Sequence, residues 1–210
     1  MTLIGLTGLI GSGKDTVADL LCKHHGFVKL SFAGVMKDVV AAVFQFDRAL
    51  LEGDTEESRK WRNQIDMWWT TRLRIPAFTP RKALQLVGTD VFRAFHEEIW
   101  VLSLERKLLN LMQTHQNVVV TDCRFPNEVG LIKKYKGTLI RVDRHTPQWY
   151  SDLLLRPQLD WAEWMASHHP TVHQSEWRIA QLTPDVVVKN VGTLEALRET
   201  VDGVMNANRM

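Results

Sequence analysis

The sequence predicts an α/β fold, a five-stranded parallel sheet covered by helices on both faces. Three observations carry that expectation. Apolar runs alternate with amphipathic stretches along most of the 210 residues, the order that a parallel sheet with crossover helices requires. Five runs are strand-like, at residues 2–7, 27–32, 117–121, 138–144 and 185–190. The first runs straight into a bend with three glycines in six positions, and a helical pattern starts at once behind it.

In chain order, residues 2–7 read as a buried strand and residues 14–24 as a helix with Val17, Leu20, Leu21 and His24 on one stripe. "FVKLSF" (27–32) alternates as a short strand, and "AGVMKDVVAAVFQF" (33–46) has helical periodicity. The polar stretch 51–64 reads as an exposed loop with a helix start. Pro76 and Pro80 mark a break, after which Thr79 caps a helix and Pro80 opens it. Gly88 divides that helix into 81–87 and 90–113. "NVVVTDCR" (117–124) is the clearest buried parallel strand, apolar until polar groups collect at its carboxyl end. A helix at 126–137, closed by Gly137, leads to the strand 138–144. A helix at 175–182, the strand 185–190 and a helix at 193–206 complete the pattern. Two stretches, 47–100 and 145–174, do not alternate and read as elaborations on one core. The whole chain, 1–210, is therefore expected to be a single domain with insertions at about 33–100 and 145–174.

Composition narrows the function classes. Hydrophobic residues make up 45% and charged residues 24%, ordinary globular values. A net charge of +2 gives no field that would point to DNA, RNA or an anionic membrane. Cys22 and Cys123 have no partner at metal-ligand spacing and read as core residues in a reduced compartment. No apolar run approaches the roughly 20 residues needed to span a bilayer. The amino terminus also lacks a signal-peptide pattern, so a soluble cytoplasmic protein is expected. The tryptophans gather at 61–69 and 149–177, which marks both segments as distinctive; Trp161, Trp164 and Trp177 read as packing, with stacking on a base the alternative for one of them. His168, His169 and His173 are close in sequence, but nothing nearby completes a zinc pattern.

The glycine bend is the strongest chemical signal. Gly8-Leu9-Ile10-Gly11-Ser12-Gly13-Lys14 satisfies G-x-x-x-x-G-K, between a strand and a helix as that motif requires. Inward-facing amides make a nest for phosphate oxygens, and the following helix adds its positive end. Lys14 is placed to meet the β- and γ-phosphates as a point charge. The fold is therefore expected to be that of the P-loop NTPases. Asp15 stands where the motif has Ser or Thr, and Thr16 follows. Thr16 can meet a phosphate from the first turn, while Asp15 has two readings, a ligand of metal-bound water or a helix cap.

A sheet of this kind binds its ligand beyond the carboxyl ends of its strands. Asp122 ends one strand and can order Mg²⁺ through water; the competing reading is a helix cap or an ion pair with Arg124. Arg124 can clamp a second phosphate, and Arg141, Arg144 and Arg178 flank the second insertion. Such cations suit phosphoryl transfer, where charge spreads over the equatorial oxygens. The group Gln85, Thr89 and Arg93 around Gly88 is a candidate for holding an acceptor nucleotide, the alternative being a helix break with exposed polar groups; Lys37, on the second turn of its helix, has a solvated lysine as its plain reading.

Several of these segments together resemble the deoxynucleoside monophosphate kinases of tailed bacteriophages and related viruses. They are "GLIGSGKDT", "SFAGVMK", "LQLVGTDVFR", "VVVTDCRFPNEVGLI", "IRVDR", "HQSE" and "DVVVKNVGTLEAL", in that order. The resemblance implies an adenylate-kinase-like fold in which the insertion 33–100 binds the monophosphate and 145–174 is a lid. It implies transfer of the ATP γ-phosphate to a dNMP with Mg²⁺ and no covalent enzyme intermediate. It assigns Gly8, Gly11, Ser12, Gly13, Lys14, Asp15 and Thr16 to ATP, with Asn190 near the adenine. Lys37, Gln85, Thr89, Arg93, Asp122 and Arg124 would face the acceptor or metal, and Arg144 and Arg178 resemble lid arginines. The host-cell cytoplasm follows if the source is viral. The segment 46–69 is a candidate homodimer surface. Two other functions fit the glycine loop: a dephospho-CoA kinase, and an ATP-dependent switch or assembly protein that phosphorylates no acceptor.

Overall fold

A computed structural model of the chain describes residues 1–172 and 174–207. The strands are β1 (Leu3–Thr7), β2 (Phe27–Leu30), β3 (Asn117–Val120), β4 (Thr138–Asp143) and β5 (Val186–Lys189). The helices are α1 (Lys14–His25), α2 (Phe32–Phe44), α3 (Glu56–Trp61), α4 (Met67–Leu73), α5 (Pro80–Gln85), α6 (Phe92–Phe95), α7 (Ile99–Gln113), α8 (Pro126–Lys134), α9 (Gln148–Leu154), α10 (Trp161–His168), α11 (Gln174–Trp177) and α12 (Leu194–Ala207). A π-helical segment, Leu86–Val91, joins α5 to α6. None of the described helices is long and apolar enough to cross a membrane.

The chain separates into two compact units, Met1–Ser31 with Glu105–Met210, and Phe32–Leu104. The first contains the sheet, in the order β2-β3-β1-β4-β5, with every pair parallel. Alternation along β1 explains its layers. Ile4 and Leu6 point to one face and join Val17, Leu20 and Leu21 of α1 and Leu197, Val201 and Met205 of α12 in one core. Gly5 points to the other face, where an added Cβ would lie 2.9 Å from both Cys123 Sγ and an Ile132 side-chain carbon. That glycine lets α8 approach the central strand. His24, expected on the buried stripe of α1, is exposed, and Ala18 takes a core place.

The helix expected over 126–137 stops at Lys134, and Gly137 is not its left-handed residue. Lys136 takes φ 56°, its N–H returns to Lys133 O at 2.9 Å, and the Gly137 N–H returns to Ile132 O at 2.8 Å. This paired closure satisfies two terminal carbonyls. Gly137 is needed for space instead, because a Cβ there would meet Ile132 Cγ2 at 2.7 Å.

The residues after β4, unassigned from sequence, form α9 and α10 around Leu153, Trp161, Trp164, Met165 and Trp177. His168 stacks on Trp164 with centroids 5.1 Å apart, so that ring serves packing. His173 lies outside the described residues. Among the described residues, no three His, Cys, Asp or Glu side chains gather as a metal site.

The second unit has its own core of Val40, Phe46, Leu51, Phe78, Ala83, Leu84 and Val87. Phe44 is its aromatic hub, 4.9 Å from Trp69, 5.4 Å from Phe78 and 5.6 Å from Phe46. The stretch 51–64 contains α3, capped by Thr55, whose Oγ1 accepts the Ser58 N–H at 3.1 Å. As expected, Thr79 caps α5 by accepting the Lys82 N–H at 3.1 Å. Gly88 does not end the helix. It sits in the π-helical segment, its carbonyl accepting Trp100 Nε1 at 2.9 Å. The expected helix 90–113 is instead interrupted at His96, which is extended and divides α6 from α7.

Candidate active site

β1 ends at Thr7, and the next six residues bend into the amino end of α1. Gly8, Gly11 and Gly13 hold φ of 143°, 75° and 98°. L side chains avoid these values. At two of the three, space also demands glycine: a Cβ on Gly8 would lie 2.4 Å from Val142 O, and one on Gly13 2.3 Å from Asn190 Nδ2. At Gly11 the space is open, and only the backbone twist favours glycine.

Lys14 folds back over this loop and donates from Nζ to Gly8 O and Leu9 O, each at 2.8 Å. Its pKa is lowered from 10.5 to about 8, by burial first and the Arg124 charge second, while Glu176, Asp15 and Asp122 act against them. Those four charged side chains therefore surround one ammonium group.

Arg124 arrives from the carboxyl end of β3. The Cys123 N–H donates to Leu6 O at 3.0 Å and ties this segment to β1. Glu128, buried in the first turn of α8, accepts the N–H groups of Arg124 and Phe125 at 2.7 and 3.1 Å. The sequence "RFPNE" carries that signal, with Pro in the first turn and Glu where it can reach back to the amides before the helix. The Arg124 guanidinium donates to Glu176 Oε1 at 2.6 Å, and Glu176 Oε2 accepts the Ile10 N–H of the glycine loop at 3.2 Å. Glu176 belongs to the "HQSE" segment, one of those that carry the family resemblance, and no sequence pattern assigned it to the site.

Arg178 follows two residues on, its Cζ 5.8 Å from the rings of both Phe125 and Trp177. The Nε of Arg178 and the hydroxyls of Thr7 and Ser12 are buried with no hydrogen-bond partner. Buried polar atoms of this kind are usually paired, so three of them beside the loop are polar groups open to a partner. On the β4 side, Arg141 bonds to Asp143 at 3.0 Å. Exposed Arg144 lines, with Gly8, Ser12, Tyr150 and Ile179, a cavity of about 170 Å³. Asn190 hydrogen-bonds Ser12 O through Nδ2 at 2.9 Å and Asp143 O through its backbone at 2.7 Å. It thereby fastens the end of β5 to the loop. Thr16 is exposed in the first turn of α1. Asp15 is exposed too, 3.6 Å from Lys29 Nζ.

The larger unit thus gathers the glycine loop, Lys14, Asp122, Arg124, Arg144, Arg178 and Asn190. The other sequence candidates belong to the Phe32–Leu104 unit. Lys37 of α2 donates to Glu52 at 2.5 Å, and Arg48 bridges Glu52 to Asp38. Gln85 is exposed at the end of α5, Thr89 lies in the π-helical segment, and Arg93 is half-buried in α6.

Comparison with known proteins agrees with this geometry. Residues 53–152 match the family model described as deoxynucleotide monophosphate kinase. A protein of Acanthamoeba polyphaga mimivirus named "Putative deoxynucleotide monophosphate kinase" is 36% identical over 154 residues, 69% of this chain and 75% of that protein. The "Deoxynucleoside-5'-monophosphate kinase" of Escherichia phage T5 is 44% identical over 182 residues, 63% of this chain and 72% of that protein. Among solved structures, a dephospho-CoA kinase from Campylobacter jejuni has a TM-score of 0.51 and 15% identity, covering 98% of this chain and 96% of that one. The last likeness shows the shared P-loop kinase fold. The viral relatives carry the identity, and by them this chain belongs to the deoxynucleotide monophosphate kinase family and is a nucleotide kinase.

Proposed function

We propose that this chain transfers the γ-phosphoryl group of ATP to the 5′-phosphate of a deoxynucleoside monophosphate, releasing ADP and the diphosphate. The observation that carries the reading is the meeting of a half-buried lysine, an arginine and the glycine loop beyond the end of β1. An oxygen of the acceptor phosphate forms the new P–O bond as the bond between the γ-phosphorus and ADP breaks. The protein's part is positioning and charge. Loop amides from Gly8 to Gly13 hold the triphosphate, Lys14 sits against its outer phosphates, and Arg124 faces the oxygens that gain charge. Arg144 and Arg178, at the two ends of the proposed lid 145–174, bring further guanidinium groups and exclude water. Asn190 keeps the loop in register for ATP.

Mg²⁺ fits the oxygen donors at hand. That ion is commonly held by one or two protein oxygens together with substrate phosphates. Asp122, acting through water, and the Thr16 hydroxyl would hold it, with Asp15 nearby. When bound, the ion supplies neutralising charge to the β- and γ-phosphates.

The separate unit Phe32–Leu104 supports an acceptor-binding region at about 33–100. There Lys37, Thr89 and Arg93 would hold the monophosphate and Gln85 would read a base edge. The π-helical segment between Gln85 and Arg93 favours this, since such bulges frequently mark functional sites. Two soluble nucleotides as substrates suit the host-cell cytoplasm, with no nucleic-acid or membrane partner, and residues 46–69 are the surface we favour for a homodimer.

The test is a coupled ADP-release assay with ATP, Mg²⁺ and a panel of acceptors. ADP release should require a dNMP. Release driven by dephospho-CoA would support the other kinase reading, and release with no acceptor would support an ATP-driven switch.

A further inference from the structure

We propose that Glu176 is a built-in stand-in for a phosphate group, filling the cradle of the glycine loop until nucleotide displaces it. This rests on the reading that the loop binds ATP. The carboxylate touches the kinds of donor a phosphate would use. One oxygen accepts the Ile10 amide at 3.2 Å, and the other accepts the Arg124 guanidinium at 2.6 Å. Its charge also acts on the Lys14 ammonium, opposing the effect of Arg124. The side chain is only 19% exposed, so the anion is held in the site and does not sample it from solvent.

Charge balance explains why an internal anion belongs there. Arg124 is close enough to Lys14 to disfavour the charge on the lysine. With no anion between them the empty loop would be strained electrostatically. Glu176 relieves that repulsion in the free protein, and a phosphate would relieve it in the complex. The two anions cannot share the site, because both need the Ile10 N–H and the same face of Arg124. Entry of a polyphosphate therefore releases Glu176.

Release also has a mechanical consequence. Glu176 precedes Trp177, which is buried in the core of the insertion with Leu153, Trp161, Trp164 and Met165. A carboxylate leaving the loop takes α11 with it, and α11 is packed into that core. Glu176 thereby couples the arrival of phosphate to the position of the segment that carries Arg178.

The test is calorimetric titration of wild-type protein, Glu176→Gln and Glu176→Ala with ATP and with inorganic tripolyphosphate, without Mg²⁺. A cradle closed nine-tenths of the time lowers apparent affinity about tenfold. Both variants should therefore bind both ligands about tenfold more tightly than wild type, and by the same factor, since only the phosphate subsite is contested. If wild type binds ATP and the variants bind it equally or more weakly, the stand-in is refuted while the proposed function survives. If wild type binds neither ligand, the functional reading falls and the stand-in with it. A measurement on wild type alone covers variants that do not fold. The carbonyl-carbon resonance of the Glu176 side chain should move to a solvent-like position when tripolyphosphate is added, and an unmoved resonance in the complex overturns the proposal.

Discussion

Raising the pH through 8 should weaken nucleotide binding, and one side chain sets the size of the effect. Burial, with Arg124 second, lowers the Lys14 pKa to about 8 in the free protein. A triphosphate in the loop places anionic oxygens beside that ammonium and draws its pKa back up. The sign follows. Below pH 8 the lysine is charged both free and bound, and binding moves few protons. Above pH 8 the free protein has lost a proton that the complex retains, so binding must take one up. At pH 9 about one free molecule in eleven still carries the charge, so binding takes up about 0.9 proton, against about 0.1 at pH 7. Affinity should accordingly fall about tenfold between pH 7 and pH 9. Calorimetry in buffers of different ionisation enthalpy reads the proton number directly. ATP is itself fully ionised over the upper part of this range, and Lys14→Arg, which keeps its charge throughout, provides the background. Uptake below about 0.3 proton at pH 9, or equal uptake in Lys14→Arg, would refute the assignment of this titration to Lys14.

Other perturbations test separate parts of the account. Lys14→Ala should lower turnover by roughly a thousandfold or more with an unchanged far-ultraviolet dichroism spectrum, because it removes charge stabilisation at the transferred group. Arg124→Ala should lower kcat, or raise the acceptor KM, by more than it weakens ATP binding; a loss confined to ATP affinity would move Arg124 to a nucleotide-clamping role. Gly8→Ala should destabilise the fold by about 3 kcal/mol or more in urea titration, since it adds a collision with a backbone carbonyl to the strain of positive φ. Gly11→Ala, with open space around it, should cost only about 1 kcal/mol. Phe78→Ala, at the fully buried centre of the second unit, should cost about 3–5 kcal/mol in thermal unfolding.

The sheet was legible because its central strands β1, β3 and β4 are largely buried. Runs such as "NVVV" have no solvent-facing residues to confuse with another element, and the observed strands begin and end within two residues of the expected ones. The glycine loop was legible because close approaches and positive φ restrict the residue type locally. The contact of Glu176 with Ile10 was not, since it joins residues 166 apart, and no local pattern records such a meeting. The same holds for the Asn190 bond to the loop, which spans 178 residues and gives Asn190 a fastening role the motif alone did not suggest. The end of α8 was misread for a different reason. A glycine at the right spacing looked like the left-handed residue, yet Lys136 accepts that conformation and Gly137 answers a packing demand from Ile132. Trp161, Trp164 and Trp177, expected to pack, do build one core, whereas Trp68 of the other cluster is exposed.

The most direct test of the central claim follows the phosphorus atom itself. With ATP labelled at the γ-position and an unlabelled deoxynucleoside monophosphate, the label should appear on the β-phosphorus of the deoxynucleoside diphosphate, one per ADP formed, and none should remain on denatured protein. Label recovered only as inorganic phosphate, or bound covalently to the protein on the way, would contradict direct transfer between two nucleotides.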